Sequence, residues 1–379
     1  MTKSKINHQP VRPLLSICIP TRNRAELLRL QLVSLGQQIR GLENDIEIIV
    51  SDNASDDNTP HVVEEARRYI PICYHRNDHD IGFVRNFCAV VDQYARGEYC
   101  WIIGDDDMVI KGKIPKIVSV LHTNYDLDYV FVNHFLKSIE QRNRLIQAHD
   151  SVYQPTLDEC RCLDLSERRL SRWEELLDIP SHAPSIIFTG IVGHVFRRST
   201  WVANVDPTEV CGPLFTSLAT TFPHIKILAT AMIGKPVYYL GDPCVLLATG
   251  SQDWIDYLPA IKVIRIGEAV DLFERLGVGA QRIRLLRFSY LQLCMPAIPL
   301  LLFDPQLPGR ELFSLRNFVW RHRLHPTVLL KLSISILRVA ILWKILLPVK
   351  ESLSQRLPKT VYQSMYLLAK KVLRLLRFF

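Results

Sequence analysis

The feature that most constrains the fold is a regular alternation of strand-like and helix-like segments over residues 14–135. Short apolar runs, each the length of a buried strand, are separated by segments whose apolar residues recur every three or four positions, as on one face of a helix. Strands joined by helices in this way form a mostly parallel sheet that is covered on both faces. The predicted strands are 14–19, 46–50, 72–76, 99–103 and 129–133.

Capping signals predict where two of the intervening helices begin. Asn23 and Glu26 have the spacing of a capping box. Thr59 followed by Pro60 is typical of an N-cap and the first helical position. We therefore expect a helix to start soon after each of the first two strands.

Polar clusters occur where the predicted strands end. Residues 20–24, 51–57, 77–82 and 104–107 each follow one of the first four strands. Ligands of such sheets bind beyond the carboxyl ends of the strands. Because four polar loops would meet at one edge of the sheet, we predict a ligand site there.

The fourth of these loops carries three consecutive carboxylates, Asp105, Asp106 and Asp107, directly after an apolar run. Crowded carboxylates repel one another unless a cation lies between them. Such oxygen ligands suit Mg²⁺ or Mn²⁺, above all where a phosphate completes the coordination shell. On spacing alone an acidic turn is the simpler interpretation, because aspartate is common in turns.

Composition bounds the class of protein. The chain has 379 residues, 48% of them hydrophobic, which is enough for a large core and more than one subdomain. Residues 326–379 hold ten Lys or Arg and one acidic residue. The charge of this stretch alone exceeds the net charge of +8 of the whole chain, so the rest of the chain gives no indication of a nucleic-acid-binding surface. The nine cysteines are scattered, and no apolar run near the N-terminus is long enough for a signal peptide. Both features predict a cytoplasmic protein.

The loop motifs together resemble those of the family 2 glycosyltransferases. The motifs that carry the resemblance are SICIPTRNR at 16–24, SDNASDD at 51–57, residues 77–82 with Arg85 and Asn86, GEY at 97–99 and GDDD at 104–107. The resemblance is strong over 14–125 and looser over 189–240. It implies the nucleotide-sugar-binding GT-A fold, an α/β fold with a mostly parallel central sheet, followed here by a helical region. The GDDD form is similar to the abequosyltransferase-like branch of O-antigen assembly enzymes.

The resemblance also implies roles for the loop residues. Asp52 would accept hydrogen bonds from the nucleotide base, with an Asx turn as the alternative. Asp105 and Asp107 would bind Mn²⁺ or Mg²⁺, which would bridge the two phosphates of the donor. Nucleotide-binding positions carried over from the family are Pro20, Thr21, Arg24, Asp52, Gly82, Arg85, Asn86, Asp105 and Asp106.

Three of these positions have simpler alternatives. Gly82 precedes a predicted helix whose start would hold an anion together with Arg85, unless Arg85 is only a solvated side chain. The alternative for Asn86 is to hold loop backbone rather than ligand, and the alternative for Arg24 is to be a surface residue of the first helix.

The catalytic base departs from the family pattern. Inverting members carry a Glu-Asp pair at the start of a late helix, but residues 220–224 read TTFPH. His224 is therefore the candidate base, because an unperturbed imidazole titrates near pH ~6.5. Metal or phosphate binding by His224, or a surface histidine at a helix start, are the alternatives. His194 is predicted to be packed rather than catalytic.

The C-terminal stretch is apolar but interrupted by charge. Lys331, Arg338 and Lys344 occur too often within 327–347 for a membrane span. Residues 361–379 add a basic stripe of Lys370, Lys371, Arg374 and Arg377. We predict helices that lie in the membrane interface and bind anionic lipids on the cytoplasmic side. Packing on the globular body, or on a partner protein, is the alternative.

Four parts of the chain are predicted: a nucleotide-sugar-binding half at 14–135, an acceptor-binding half at 136–250 with a surface excursion at 136–188, a helical extension at 251–325 and membrane-associating helices at 326–379. The expected activity is metal-dependent transfer of a hexose or deoxyhexose from a nucleotide diphosphate sugar. The expected acceptor is a hydroxyl of a lipid-linked saccharide in O-antigen or capsule synthesis. The alternatives are a polyprenyl-phosphate glycosyltransferase and a non-catalytic scaffold that binds nucleotide sugar.

Overall fold

The computed structural model describes residues 12–148, 153–304 and 306–322. The strands are β1 (Leu15–Thr21), β2 (Ile46–Asp52), β3 (Ile72–Arg76), β4 (Tyr99–Ile102), β5 (Met108–Val109), β6 (Tyr129–Ser138), β7 (Glu167–Leu170), β8 (His194–Arg197) and β9 (Val237–Thr249). The α-helices are α1 (Ala25–Gly36), α2 (Thr59–Ala66), α3 (Phe83–Ala89), α4 (Lys113–Thr123), α5 (Ile139–Gln147), α6 (Arg198–Val202), α7 (Pro223–Met232), α8 (Leu258–Ala260), α9 (Ile266–Arg275), α10 (Ala280–Cys294), α11 (Ile298–Phe303) and α12 (Leu315–Arg321). Strands and helices alternate over the first part of the chain, as the sequence predicts.

The strands form one sheet in the order β3-β2-β1-β4-β8-β6-β9-β5, and β7 pairs with β9. The long ladders, β1 with β2 and β6 with β9, are parallel, as are β2 with β3 and β1 with β4. Short antiparallel ladders join β8 to β4 and β6, and β5 and β7 to β9. The sheet is therefore mostly parallel, and β1 to β4, β6 and β9 all end at the same edge.

The apolar stripe predicted for the first helix is confirmed. Leu28, Leu32, Leu35 and Ile39 are at most 3% exposed and belong to the main core, which the helices α1, α2 and α4 form with the sheet. Burial of one such side chain contributes about 1.5–3 kcal/mol to folding. This packing fixes α1 behind the loop that leaves β1.

Both predicted helix starts differ in detail from the structure. The predicted capping box at Asn23 is wrong: Asn23 has a φ of 52° and accepts a 2.7 Å hydrogen bond from the backbone of Asp56, so it connects two loops instead. Arg24 is the N-cap of α1 and makes no side-chain cap. At α2 the N-cap is Asn58, one residue before the predicted Thr59.

Residues 136–188 do more than cover the surface. The strand predicted to end at residue 133 continues as β6 to Ser138, which with Gln141 forms a capping box at the start of α5. Trp173, in the same segment, is 1% exposed. Farther on, the short strand β8 begins at His194 and the helix α7 begins at Pro223.

The chain divides into two compact units, Met1–Ile255 with Arg265–Arg287, and Asp256–Ile264 with Phe288–Phe379. The first unit holds the whole sheet, and the predicted boundary between residues 135 and 136 falls inside β6. In the described ranges, no helix combines the length and apolar character needed to cross a membrane. The helices predicted at 326–379 lie outside the described residues.

Candidate functional site

The first and fourth loops meet at the carboxyl edge of the sheet. The hydroxyl of Thr21, at the end of β1, donates a 2.7 Å hydrogen bond to Asp105. Nη1 of Arg24 donates to Asp105 at 2.8 Å and to Asp106 at 3.1 Å. Arg24 is therefore not a solvated residue of α1, because its guanidinium is paired with two of the three consecutive aspartates.

The end of β9 closes the other side of this cluster. Asp107 is 2% exposed, and its two oxygens accept the backbone N–H groups of Gly104, at 2.7 Å, and Ala248, at 3.2 Å. Ser251 donates its hydroxyl to Asp106, and its carbonyl accepts a hydrogen bond from Arg24. The contacts of Ala248 and Ser251 were missed in the sequence, where these residues lie more than 140 positions away from the aspartates.

A buried arginine lies against the backbone of the aspartate loop. Arg142, in α5, has no exposed surface. Its Nη2 donates to the carbonyl oxygens of Asp107 at 2.9 Å and Asp105 at 3.3 Å, and its Nε donates to Asp107 at 3.1 Å. The guanidinium thus holds the loop through its backbone carbonyl oxygens, and the carboxylate oxygens remain available to other partners.

Burial disfavours the ionised forms of two of the three aspartates. Burial raises the pKa of Asp107 to about 8, and the charge of Asp106 adds to the effect. Burial also raises the pKa of Asp105 to about 6, although Arg24 opposes the shift. Both shifts show that a further positive charge at this edge would be favourable.

The donor set suits a divalent ion that is only partly held by protein. The described residues contain no group of three or more His, Cys, Asp or Glu side chains arranged for a metal. Asp106 is the most open of the three carboxylates, at 13% side-chain exposure, and its Oδ1 accepts no hydrogen bond from the described residues. Since Mg²⁺ is commonly held by one or two carboxylates plus phosphates and water, the residues fit this mode.

Asp52, the predicted base-binding residue, makes a turn in the structure. It is fully buried, and its Oδ1 accepts hydrogen bonds from the backbone N–H of Ser55, at 2.9 Å, and from the Ser55 hydroxyl. Its Oδ2 accepts a 2.6 Å hydrogen bond from the hydroxyl of Tyr74. An Asx turn was the alternative for this residue; the structure shows a related turn, in which the carboxylate accepts the backbone N–H three residues on rather than two.

The third loop is held by a network of amides. Asn86 is buried, donates to the carbonyl oxygen of Ser51 at 2.9 Å and accepts from Asn77 at 3.0 Å, so it holds loop backbone. Gly82 has a φ of 86°, which favours glycine, and caps α3. Arg85 is exposed on α3. Pro20 pairs with Ser51 where β1 and β2 run side by side.

His224, the candidate base, is buried at the start of α7 rather than exposed there. It is 4% exposed, its Nε2 lies 3.0 Å from the carbonyl oxygen of Phe188, and its Nδ1 has no hydrogen-bond partner within the part of the chain that the structure describes. Its ring centroid is 5.3 Å from that of His194. Burial, with a smaller contribution from His194, lowers the pKa of His224 well below its usual value, so the ring is neutral.

His194 is packed, as the sequence predicts. It is 1% exposed and its Nδ1 lies 2.6 Å from the hydroxyl of Tyr129, while its Nε2 shares the carbonyl oxygen of Phe188 with His224. The two histidines therefore belong to one buried aromatic cluster.

Comparisons with known proteins agree with this arrangement. Residues 16–183 match the model of glycosyl transferase family 2. The chain is 41% identical over 243 residues to the abequosyltransferase RfbV of Salmonella typhimurium, covering 62% of this chain and 66% of that enzyme. It is 47% identical over 62 residues to the validoxylamine A glucosyltransferase of Streptomyces hygroscopicus subsp. jinggangensis, covering 16% and 14%. The matches thus span less than two thirds of either relative.

Among solved structures, the chain is similar to residues 1–349 of S. aureus TarS in complex with UDP-GlcNAc. The TM-score is 0.47, at 14% sequence identity over 75% of this chain and 81% of that chain. With polar loops at the carboxyl edge of a mostly parallel sheet and with its similarity to the Salmonella enzyme, the chain belongs to the family 2 glycosyltransferases, in the abequosyltransferase-like branch.

Proposed function

We propose that the protein transfers a hexose or deoxyhexose from a nucleotide diphosphate sugar to a hydroxyl of a lipid-linked saccharide. The observation that carries this proposal is the aspartate cluster at the sheet edge, where Thr21, Arg24 and Ser251 surround Asp105 and Asp106. It brings carboxylates and a guanidinium to the edge where sheets of this type bind nucleotides.

A divalent ion, Mn²⁺ or Mg²⁺, would be held by Asp106 and its neighbour Asp105, with Asp107 fixing the loop through its two backbone hydrogen bonds. Such an ion offsets the charge that develops on a departing nucleoside diphosphate. Arg24, already beside both carboxylates, would keep them oriented and would add positive charge near the phosphates.

The acceptor proposal rests on relatives and on the C-terminal charge. The Salmonella relative is named for transfer of abequose. The basic, apolar residues at 326–379 suit a protein that works at the cytoplasmic face of a membrane, where a lipid-linked acceptor would be met. Surface polysaccharide synthesis, of O-antigen or capsule, is the corresponding setting.

The position of His224 favours a second candidate for the acceptor. As a base, His224 would use its unpaired Nδ1 on the acceptor hydroxyl, but the ring is 4% exposed. No carboxylate occurs at residues 220–224 to take that role. A polyprenyl phosphate is already an anion and needs no strong base, so glycosylation of that carrier is the alternative reaction.

The test is release of nucleoside diphosphate from a panel of nucleotide sugars, with Mn²⁺ or Mg²⁺ and a lipid extract. We expect release with one donor, dependent on lipid and lost in Asp106→Asn. Asp126→Asn is the matched control, because Asp126 is exposed and pairs only with Arg169 among the described residues. Release that survives Asp106→Asn would contradict the assignment of the site. Binding of nucleotide without turnover for any donor would support the scaffold alternative.

A further inference from the structure

Arg161, a buried arginine of the first unit, has no acidic partner among the described residues. Arg161 is 9% exposed, and no carboxylate of a described residue lies within ion-pair distance of it. Burial lowers its pKa, opposed only by the nearby thiol of Cys162, with no contribution from a carboxylate. An ionised side chain in this position is costly unless something else supplies the negative charge.

Other buried or half-buried arginines of the same unit show the usual arrangement. Arg197 is paired with Glu98 and with Asp128, at 2.7 Å from the latter. Arg265 is paired with Glu268. Arg142 lacks a carboxylate contact but donates to four carbonyl oxygens or amide oxygens of the loop and helix around it. Arg161 is therefore an exception that requires an explanation.

The neighbour of Arg161 orients its guanidinium without neutralising it. Nε of Arg161 lies 3.5 Å from Nε2 of His134, which is fully buried. Burial, followed by the charge of Arg161, lowers the pKa of His134 well below its usual value, so the ring is neutral and accepts this contact. The terminal Nη1 and Nη2 of Arg161 make no hydrogen bond with the described residues. Two parallel donors are thus left for a ligand.

Backbone contacts place Arg161 beside the strand β6. Its N–H donates a 2.7 Å hydrogen bond to the carbonyl oxygen of His134, and Cys160 bridges to Phe135. Gly190 lies beside the imidazole, where an added Cβ would come within 2.7 Å of Nε2 of His134, so glycine keeps this space open. The strand β6 ends at the same edge of the sheet as β1 and β4.

We propose that Arg161, oriented by His134, binds a phosphate group of a substrate. A guanidinium with two free Nη atoms binds a phosphate through two parallel hydrogen bonds. The inference rests on the proposed function, which supplies two sources of phosphate: the diphosphate of the donor, and the phosphate that joins the acceptor to its lipid carrier.

The experiment measures the unfolding temperature of the full chain with and without inorganic pyrophosphate, in EDTA so that no metal-bridged binding at the aspartates contributes. A ligand that binds only the folded state raises this temperature. We expect pyrophosphate to stabilise the wild type and Arg168→Met, and to bind at least tenfold more weakly to Arg161→Met. Arg168 is the matched control because it lies in the same segment, partly exposed and paired with Asp164.

Without ligand, Arg161→Met should be no less stable than the wild type, because it removes an unpaired buried charge. Equal stabilisation of both proteins by pyrophosphate would overturn the proposal. If that variant does not fold, Arg161→Lys decides: weaker binding supports the site, and unchanged binding overturns it.

The two sources are separated by repeating the titration with nucleoside diphosphates and with farnesyl phosphate. Weaker binding of nucleoside diphosphate to Arg161→Met assigns the site to the donor, and weaker binding of farnesyl phosphate alone assigns it to the carrier. If Arg161→Met weakens neither, the proposal is wrong even where the transferase assay succeeds, so the two failures are distinguishable.

Discussion

The three consecutive aspartates after β4 have different environments and are not equivalent. Both oxygens of Asp107 accept backbone N–H groups, and both oxygens of Asp105 accept side-chain donors, from Thr21 and Arg24. Only Asp106 keeps an oxygen that no described residue occupies. We therefore assign loop structure mainly to Asp107 and ligand contact mainly to Asp106.

Arg142 is the side chain on which this loop depends most. Replacement by methionine in Arg142→Met would leave the carbonyl oxygens of Asp105 and Asp107 buried without their donor. We expect the free energy of unfolding to fall by about 2–4 kcal/mol, measured by urea denaturation. Nucleotide binding should weaken as well, because the aspartates lose their support.

Arg144→Met is the matched control for this prediction, since Arg144 lies in the same helix but is exposed. Its free energy of unfolding should change by no more than about 0.5 kcal/mol. Similar losses in the two variants would show that the effect comes from α5 itself and not from the contact with the aspartate loop.

The buried histidines predict loss of stability in acid. Burial lowers the pKa of His194 to about 4, whereas an unfolded histidine titrates near ~6.5. The unfolded chain therefore binds a proton that the folded protein rejects. This contribution is fully present above about pH 6.5 and is lost as the pH falls towards about 4, on the order of 3 kcal/mol in all.

His194→Gln should reduce the difference in unfolding free energy between pH 7 and pH 4.5, measured by urea denaturation at each pH. His61→Gln, which changes an exposed histidine, should leave that difference unchanged. An equally steep pH dependence in His194→Gln and the wild type would contradict a neutral, buried His194.

Among the elements, β9 pairs with β5, β6 and β7, and a glycine lets β7 lie against it. Gly241 donates its N–H to Ser166 at 3.1 Å, and a Cβ at Gly241 would lie 2.2 Å from the same carbonyl oxygen and 2.6 Å from that of Asp164. Both oxygens are backbone atoms, so a Cβ at Gly241 could be accommodated only if the segment before β7 moved.

Gly241→Ala should therefore lower the free energy of unfolding by about 1–3 kcal/mol. It should also speed tryptic cleavage at Arg168 and Arg169, which lie in β7. Gly279→Ala is the control, because no atom lies within 4 Å of its added Cβ. Unchanged cleavage in Gly241→Ala would show that β7 does not depend on this close approach.

Local patterns predicted the elements well, and contacts distant in sequence explain what was missed. The core strands and the four polar loops were found because each depends on periodicity within a few residues. The prediction of a capping box at Asn23 was wrong because the side chain of Asn23 accepts a hydrogen bond from the backbone of Asp56, 33 residues away. Arg142 and Ser251 carried no local signal, since their partners lie 35 or more residues distant and Arg142 bonds to backbone oxygens.

At the scale of the whole molecule, the distribution of charge predicts where the protein works. Residues 326–379 carry ten basic residues and one acidic residue, while the remainder of the chain is close to neutral. Each basic residue near an anionic membrane surface contributes about 1 kcal/mol to binding. From this charge we propose that the stretch attaches the chain peripherally to anionic lipid.

Deletion of residues 327–379 should release the protein from the membrane fraction of lysed cells. Replacing Lys370, Lys371, Arg374 and Arg377 by glutamine should weaken sedimentation with vesicles that contain phosphatidylglycerol, because the attraction is electrostatic. Pure phosphatidylcholine vesicles carry no net charge to attract these side chains, so the variant and the full-length chain should sediment with them equally. On anionic vesicles, 1 M salt should reduce the difference in sedimentation between the two proteins. A truncated chain that stays with membranes as well as the full-length chain would show that another surface, or a partner protein, provides the attachment.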